Sequence, residues 1–192
     1  PTAVAFHAVE LGEKSILKDI KKSKALVIGG GAIGLLCGLI LSNVKKCDDI
    51  TIVDPNNKRL KECSKYLNAM PVSPESKNIV ESNFDIVFDT VGLEATRLQA
   101  IKSIKPGGTI IHIGLTQSGG NFDFRKATLQ EITFIGTYCY TNEDFKKTLE
   151  ILSKKQLGSL AWIEYRNLKD GAKAFKDIHD GSCSAPKIVL LI

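Results

Sequence analysis

From Ala25 onward, short β-branched apolar runs alternate with segments of helical period. "ALVIG" precedes an apolar helix, "ITIVD" (residues 50–54) precedes "NNKRLKECSKYL", and "FDIVFD" (84–89) precedes "LEATRLQAIKSI". "TIIHIG" (109–114) and "ITFIG" (132–136) follow, and then the helical stretch "NEDFKKTLEIL". Strands that read as unbroken apolar runs are buried on both faces, which is the condition of a parallel sheet covered by helices on each side. The pattern predicts a doubly wound α/β domain. The stretch "AMPVSPES" supports no more than an edge strand, because Pro71 and Pro74 remove ladder donors. Ahead of the first strand, Val4, His7, Ala8 and Leu11 fall at helical spacing and predict an opening helix. Beyond Leu157 the alternation stops, and "LAWIEY", "LKDGAKAFKDIHDG" and "KIVLLI" form a C-terminal appendage that does not continue the winding.

Composition narrows the classes. With 192 residues, 43% of them hydrophobic, the chain can bury one full core and a small second lobe. Lys and Arg exceed Asp and Glu by 26 to 21, but only Lys18, Lys21, Lys22 and Lys24 cluster, before a predicted buried strand. With no aromatic interleaving, that cluster predicts a solvated loop and no nucleic-acid partner. The five cysteines, Cys37, Cys47, Cys63, Cys139 and Cys183, are odd in number and never reach C-x-x-C spacing, so the expectation is a reducing, cytoplasmic setting without a disulfide framework or a zinc knuckle. No apolar run approaches the roughly 20 residues of a membrane helix, and no membrane partner is expected. The chain opens on Pro1, without a methionine, and that predicts the interior of a longer protein.

Candidate chemistry centres on "VIGGGAIGLL". Gly29, Gly31 and Gly34 form G-x-G-x-x-G directly after a predicted strand and at the mouth of a helix. The first glycine permits the turn, the second lets backbone approach a pyrophosphate, and the third lets the helix pack closely on the strand. The N–H groups of the turn and first helical residues, with Ala32 and Ile33 between the second and third glycines, then face the phosphates at the positive end of the helix. Asp54 ends the second strand 20 residues after Gly34, where a carboxylate accepts hydrogen bonds from the adenosine ribose and repels a 2′-phosphate. NAD is therefore expected over NADP. A bland alternative makes Asp54 the cap of the next helix. A methyltransferase using S-adenosylmethionine also places a glycine turn after strand one and an acid after strand two. It would end in an antiparallel hairpin, whereas "EITFIG" followed by a helix extends a parallel sheet.

Taken with "IVDPNNKRL", "FDIVFDTVG", "IKPGGTIIHIGL" and "PKIVLLI", the glycine turn resembles the coenzyme-binding half of the medium-chain dehydrogenase/reductase family, of the zinc-dependent alcohol, polyol and threonine dehydrogenase type. The resemblance implies a linking helix over residues 1–20, a Rossmann domain over 21–155 and a segment over 156–192 that returns towards a catalytic domain upstream of Pro1. It implies that Arg59 stands beside Asp54 at the ribose and that Val91 and Gly92 border the adenine and its ribose. Backbone groups of Ile113, Thr137 and Cys139 would receive the nicotinamide carboxamide, Thr2 would approach the ring, and Lys187 would reach the pyrophosphate. Each has a plainer reading too. Arg59 could be merely solvated, Val91 and Ile113 could simply end buried strands, and Cys139 could be a small packing residue. His7, His112 and His179 are expected to be structural.

The resemblance further implies hydride transfer from a secondary alcohol or polyol to NAD. Zinc would be held only in the longer parent and no metal ligand in this chain, with self-association as a homodimer or homotetramer through the Rossmann domain. A non-catalytic NAD-binding or oligomerisation module remains the alternative within the same fold.

Overall fold

The computed structural model describes residues 1–77, 79 and 81–192. Six strands form one sheet in which every pairing is parallel: β1 (Lys24–Ile28), β2 (Asp49–Val53), β3 (Met70–Val72), β4 (Phe84–Asp89), β5 (Ile104–His112) and β6 (Thr133–Gly136). Their spatial order is β3-β2-β1-β4-β5-β6. Helix α1 (Thr2–Ser15) precedes the sheet, and α2 (Ala32–Leu39), α3 (Asn57–Cys63), α4 (Glu94–Ser103), α5 (Phe124–Leu129) and α6 (Asn142–Ser153) follow β1, β2, β4, β5 and β6. The doubly wound fold expected from the apolar runs is the fold observed. Because side chains alternate along a strand, Ala25 and Val27 of β1 join Ile86 and Phe88 of β4 in a core beneath α1 and α2. Leu26 and Ile28 join Val87 of β4 in a second core on the opposite face, with Ala100 and Ile101 of α4. The winding reverses between β1 and β4, and in open α/β sheets such a reversal opens a crevice at the carboxyl ends of the strands.

Two expectations need correction. The buried stripe of α1 is Ala3, Ala5, Phe6, Ala8, Val9 and Gly12, whereas Val4, His7 and Leu11 are only half-buried. Small residues win that face because the helix lies hard against the sheet: a Cβ on Gly12 would come within 2.6 Å of Ile86 Cδ1. The lysine cluster is also not simply solvated. Lys18 Nζ donates to Asp85 Oδ2 at 3.1 Å, and the Lys24 N–H donates to the same oxygen at 2.7 Å. Lys105 Nζ reaches Asp85 Oδ1 at 3.0 Å, so this one carboxylate gathers the starts of β1, β4 and β5.

β6 pairs in parallel with β5 and is followed by α6, which removes the antiparallel ending that a methyltransferase would show. The edge strand suggested by "AMPVSPES" exists as β3, three residues long with Pro71 at its middle. The C-terminal appendage is a small β-α-β unit: β7 (Ile163–Asn167), α7 (Gly171–His179) and β8 (Lys187–Leu191), whose strands pair with one another in parallel and with nothing in the main sheet. Trp162 anchors its start in the core under α1 and α2.

At the head of α2, Gly34 has no room for a side chain. A Cβ there would overlap the carbonyl of Gly29 and lie 3.1 Å from Thr90 Oγ1. We expect Gly34→Ala to destabilise the fold by about 1–3 kcal/mol through this overpacking, read as a lower midpoint in chemical denaturation; a wild-type midpoint would show that the helix can retreat without cost. Asp85 makes a second prediction. Burial pushes its carboxyl up, but the hydrogen bonds from Lys24 N–H, Lys105 and Lys18 outweigh that and hold it below the usual carboxylate range. A group whose pKa falls on folding stabilises the fold above its unfolded value of about 3.9 and loses that contribution as pH drops through the folded value. The stability gap between wild type and Asp85→Asn should therefore be full at pH 7 and close below about pH 4. A gap that persists unchanged at lower pH would contradict this.

Candidate functional site

Gly29 leaves β1 with φ of +106°, and its N–H donates to Val53 O at 2.7 Å. A side chain at this position would run into Thr90 Oγ1 at 2.6 Å and Val91 Cγ2 at 2.7 Å. The chain then turns through Gly30 to Gly31, which caps α2 with extended backbone and without any side-chain hydrogen bond. The first helical bond runs from Leu35 N–H to Gly31 O, so the N–H groups of Ala32, Ile33 and Gly34 precede it and are left without helical acceptors. A Cβ on Gly31 would meet nothing within 4 Å. The helix thus presents a bare donor end to open space, the arrangement that binds anionic groups.

Asp54 follows β2 and is almost wholly buried, its side chain 4% exposed. Oδ2 accepts from Gly30 N–H at 2.8 Å and from Arg59 Nη1 at 3.3 Å, and Oδ1 accepts from Asn56 N–H at 2.8 Å. Three of its roughly four acceptor positions are therefore committed to the chain, and about one remains for a ligand. The cap of α3 is Asn56, whose Oδ1 accepts from the N–H groups of Lys58 and Arg59 at 3.0 and 3.2 Å; Asp54 caps nothing. Arg59 Nε is buried with no partner, an orphaned donor next to the carboxylate. Cys63 lies beneath the turn with its Sγ 3.4 Å from Gly30 O. Burial, reinforced by the Asp54 charge, pushes its thiol up to about 12, which makes it a packing group.

Beside the switch point, a cavity of about 490 Å³ is lined by Ile28, Gly29, Val53, Pro55 and Val91, with α4 as its outer wall. The loops after β4 and β5 are locked together. Gly92 has φ of +77°, and a Cβ there would overlap Gly114. The organiser of these loops is Asp89, fully buried at the end of β4. Its Oδ1 accepts from the N–H groups of Val91 and Gly92 at 3.1 and 2.9 Å, while Oδ2 meets Thr96 Oγ1 and His112 Nδ1, each at 3.1 Å. The Asp89 carbonyl accepts from Ile113 and Gly114 N–H. Arg97 then staples the following loop by donating to the carbonyls of Gly92 and Gly119.

The structure thus brings Gly29, Gly31, Ala32, Ile33, Gly34, Asp54, Arg59, Val91 and Gly92 to the carboxyl ends of β1, β2 and β4, with Ile113 at the end of β5. Thr137 and Cys139 lie just past β6; Thr137 N–H donates to His112 O at 3.0 Å, and its hydroxyl is buried without a partner. Cys139 is exposed with φ of +57°, so it is not a packing residue. Lys187 opens β8 and lines with Ala32 a smaller cavity of about 320 Å³. Thr2 opens α1, which is tied to α6 by a 2.8 Å bond between His7 Nδ1 and Asp144 Oδ2. Sequence reasoning missed Asp89, Asn56 and Arg97. The signal for Asp89 was present, since "IVFD" ends a buried run on an acid just as "TIVD" does. Among the described residues, no group of three or more His, Cys, Asp or Glu side chains could hold a metal ion.

D-xylulose reductase of Saccharomyces cerevisiae is 29% identical over 191 residues, covering 92% of this chain and 52% of that protein. A probable diacetyl reductase ((R)-acetoin forming) of the same yeast is 31% identical over 196 residues, covering 95% and 44%. The chain therefore spans about half the length of the curated relatives it matches. Among solved structures, an alcohol dehydrogenase from Thermus sp. ATN1 superposes with a TM-score of 0.86 at 20% identity, over 100% of this chain and 56% of that one. Acetophenone reductase from Geotrichum candidum, solved in complex with NAD, superposes with a TM-score of 0.84 at 20% identity, over 98% and 52%. Those two likenesses establish the fold. The family model described as zinc-binding dehydrogenase matches residues 32–154, more than half of the chain, from the head of α2 past the end of α6. The chain belongs to the zinc-binding dehydrogenase family.

Proposed function

We propose that this chain is the coenzyme-binding half of an NAD-dependent alcohol or polyol dehydrogenase, with NAD lying across the carboxyl ends of the strands at the β1/β4 switch point. One observation carries the reading. The uncapped donor end of α2 faces open space at Gly31, and a buried carboxylate at the end of the next strand sits 2.8 Å from the turn's own N–H. The pyrophosphate would rest on the N–H groups of Ala32, Ile33 and Gly34, with Lys187 approaching across the smaller cavity. The adenosine ribose would use the remaining acceptor position of Asp54 and the orphaned Nε of Arg59. Val91 and Gly92 would border the adenine beside the cavity that Val91 lines. Towards the other end, backbone groups of Ile113, Thr137 and Cys139 would hold the carboxamide, and Thr2 would approach the ring. When bound, NAD accepts a hydride from the carbon of the alcohol. This chain's part is to bind and orient it.

Relatives named for the reduction of D-xylulose and diacetyl support a secondary alcohol or polyol as substrate class. The zinc for which the family is named would be held by residues outside this chain, in the part of the relatives it does not span. The five unpaired thiols support a cytoplasmic setting, and no helix among the described residues is long and apolar enough to cross a membrane. The exposed edge at β6, where Phe134 and Phe124 are 43% and 74% exposed, supports a homodimer, or a homotetramer built from such pairs, through the Rossmann domain.

Fluorescence titration tests the cofactor. NADH should bind the wild-type chain, and Gly31→Val should keep its fold, because the position is open and of ordinary φ, yet lose NADH. Asp54→Ala should weaken NADH by about 1.5–3 kcal/mol and narrow its advantage over NADPH. Wild type preferring NADPH, or binding S-adenosylmethionine and no dinucleotide, would refute the assignment. For association, sedimentation should give a two-copy species that Phe134→Glu shifts to one; a monomer at high concentration would remove the edge from consideration.

A further inference from the structure

The C-terminal β-α-β unit leans on the sheet domain with very little. Trp162 and Ile163 root it in the core, and Phe175, Ile178 and Lys187 face Ala32 across the smaller cavity. Apart from the local bonds of the connecting turn (Ala161 N–H to Ser159 Oγ and Ile163 N–H to Leu160 O), one hydrogen bond among the described residues crosses from the sheet domain to residues 161–192: Asn56 Nδ2 donates to Gly181 O at 2.8 Å, between groups 125 positions apart in the chain. No ion pair crosses, and Lys187 has no carboxylate within ion-pair distance among the described residues. Gly181 reaches Asn56 from a turn with φ of +67°, which aims its carbonyl across the gap.

Asn56 is also the residue on which the ribose end of the site is built. Its backbone N–H holds Asp54 Oδ1, and its side-chain oxygen caps α3 at Lys58 and Arg59, which sets the helix that brings Arg59 onto Asp54. One amide therefore uses its oxygen for the acid-base pair at the adenosine end and its nitrogen for the segment that carries Lys187 towards the pyrophosphate. We propose that Asn56 is a positioning residue that couples the adenosine-ribose and pyrophosphate parts of the dinucleotide site, latching the C-terminal segment over the glycine turn. The proposal rests on the coenzyme reading above. By linkage, a cofactor that touches both sides of the latch must tighten the segment, and the latch must tighten the cofactor by the same factor.

The amide's two functions separate by substitution. Asn56→Ser and Asn56→Asp each keep an oxygen that caps a helix N-terminus and lose the amide nitrogen that reaches Gly181 O, the serine hydroxyl sitting on a shorter side chain. Using the pair distinguishes the lost donor from the added charge of the aspartate. Hydrogen exchange followed by mass spectrometry, with and without NADH, reads the segment directly. In both variants the amides of residues 171–191 should exchange faster without ligand, while α3 and the six-stranded sheet keep wild-type protection. NADH should slow exchange in residues 181–191 of wild type and not of the variants, and NADH affinity should fall about three- to tenfold, the range of one neutral hydrogen bond. Wild-type exchange across residues 171–191 in both variants, or unchanged NADH affinity, would overturn the latch while leaving the coenzyme reading intact. Failure of wild type itself to bind NADH would overturn the coenzyme reading, and the coupling with it.

Discussion

Everything at the carboxyl end of the sheet depends on how closely α2 approaches the turn that starts it. With hydrogen alone at Gly34, the helix rests on the Gly29 carbonyl, and its first turn is held at a fixed height above β1. Only from that height can the N–H groups of Ala32 and Ile33 face the crevice between β1 and β4. The same approach presses Gly29 against Thr90 and Val91, so the turn after β1 and the loop after β4 are fitted to each other. A looser helix would blunt the dipole end and widen the crevice together. Close packing is here a condition of electrostatics.

Two carboxylates extend that order outward. Asp54 and Asp89 each leave a buried strand and turn back to accept from the backbone N–H groups just beyond it, so each loop is folded around a negative charge. Asp89 has no exposure at all, and its pairing with Thr96 and His112 satisfies what would otherwise be a costly buried anion. In this frame His112 is a bridge from β5 to β4, and the structural role foreseen for the histidines has named partners at His7 and His112.

The apolar runs made the fold legible because strands buried on two faces have no polar positions to confuse the pattern. The glycine spacing was legible because Gly29 meets a backbone demand with φ of +106° and Gly34 a packing demand against Gly29, while Gly31 leaves the helix end open. What escaped was set by contacts between segments distant in sequence. No local feature of "VDPNN" shows that Asn56 meets Gly181, and the spacing of "TAVAFHAV" misplaced the buried face of α1, whose stripe of Ala3, Ala5, Phe6, Ala8, Val9 and Gly12 is set by close packing on the sheet. Cys139 looked like packing from its strand-end position, but the left-handed backbone there turns it outward.

The two edges of the sheet are unequal. On one side β3 is three residues long with a proline at its centre, too short and too poor in donors to template another strand. On the other side β6 carries no proline, and the aromatic rings of Phe122, Phe124 and Phe134 cluster beside it. A sheet with one blunted side and one open side favours joining like to like, across a two-fold axis. In the pairing through β6 proposed above, both outer margins of the joined sheet would be β3, where Pro71 opposes the addition of a further strand.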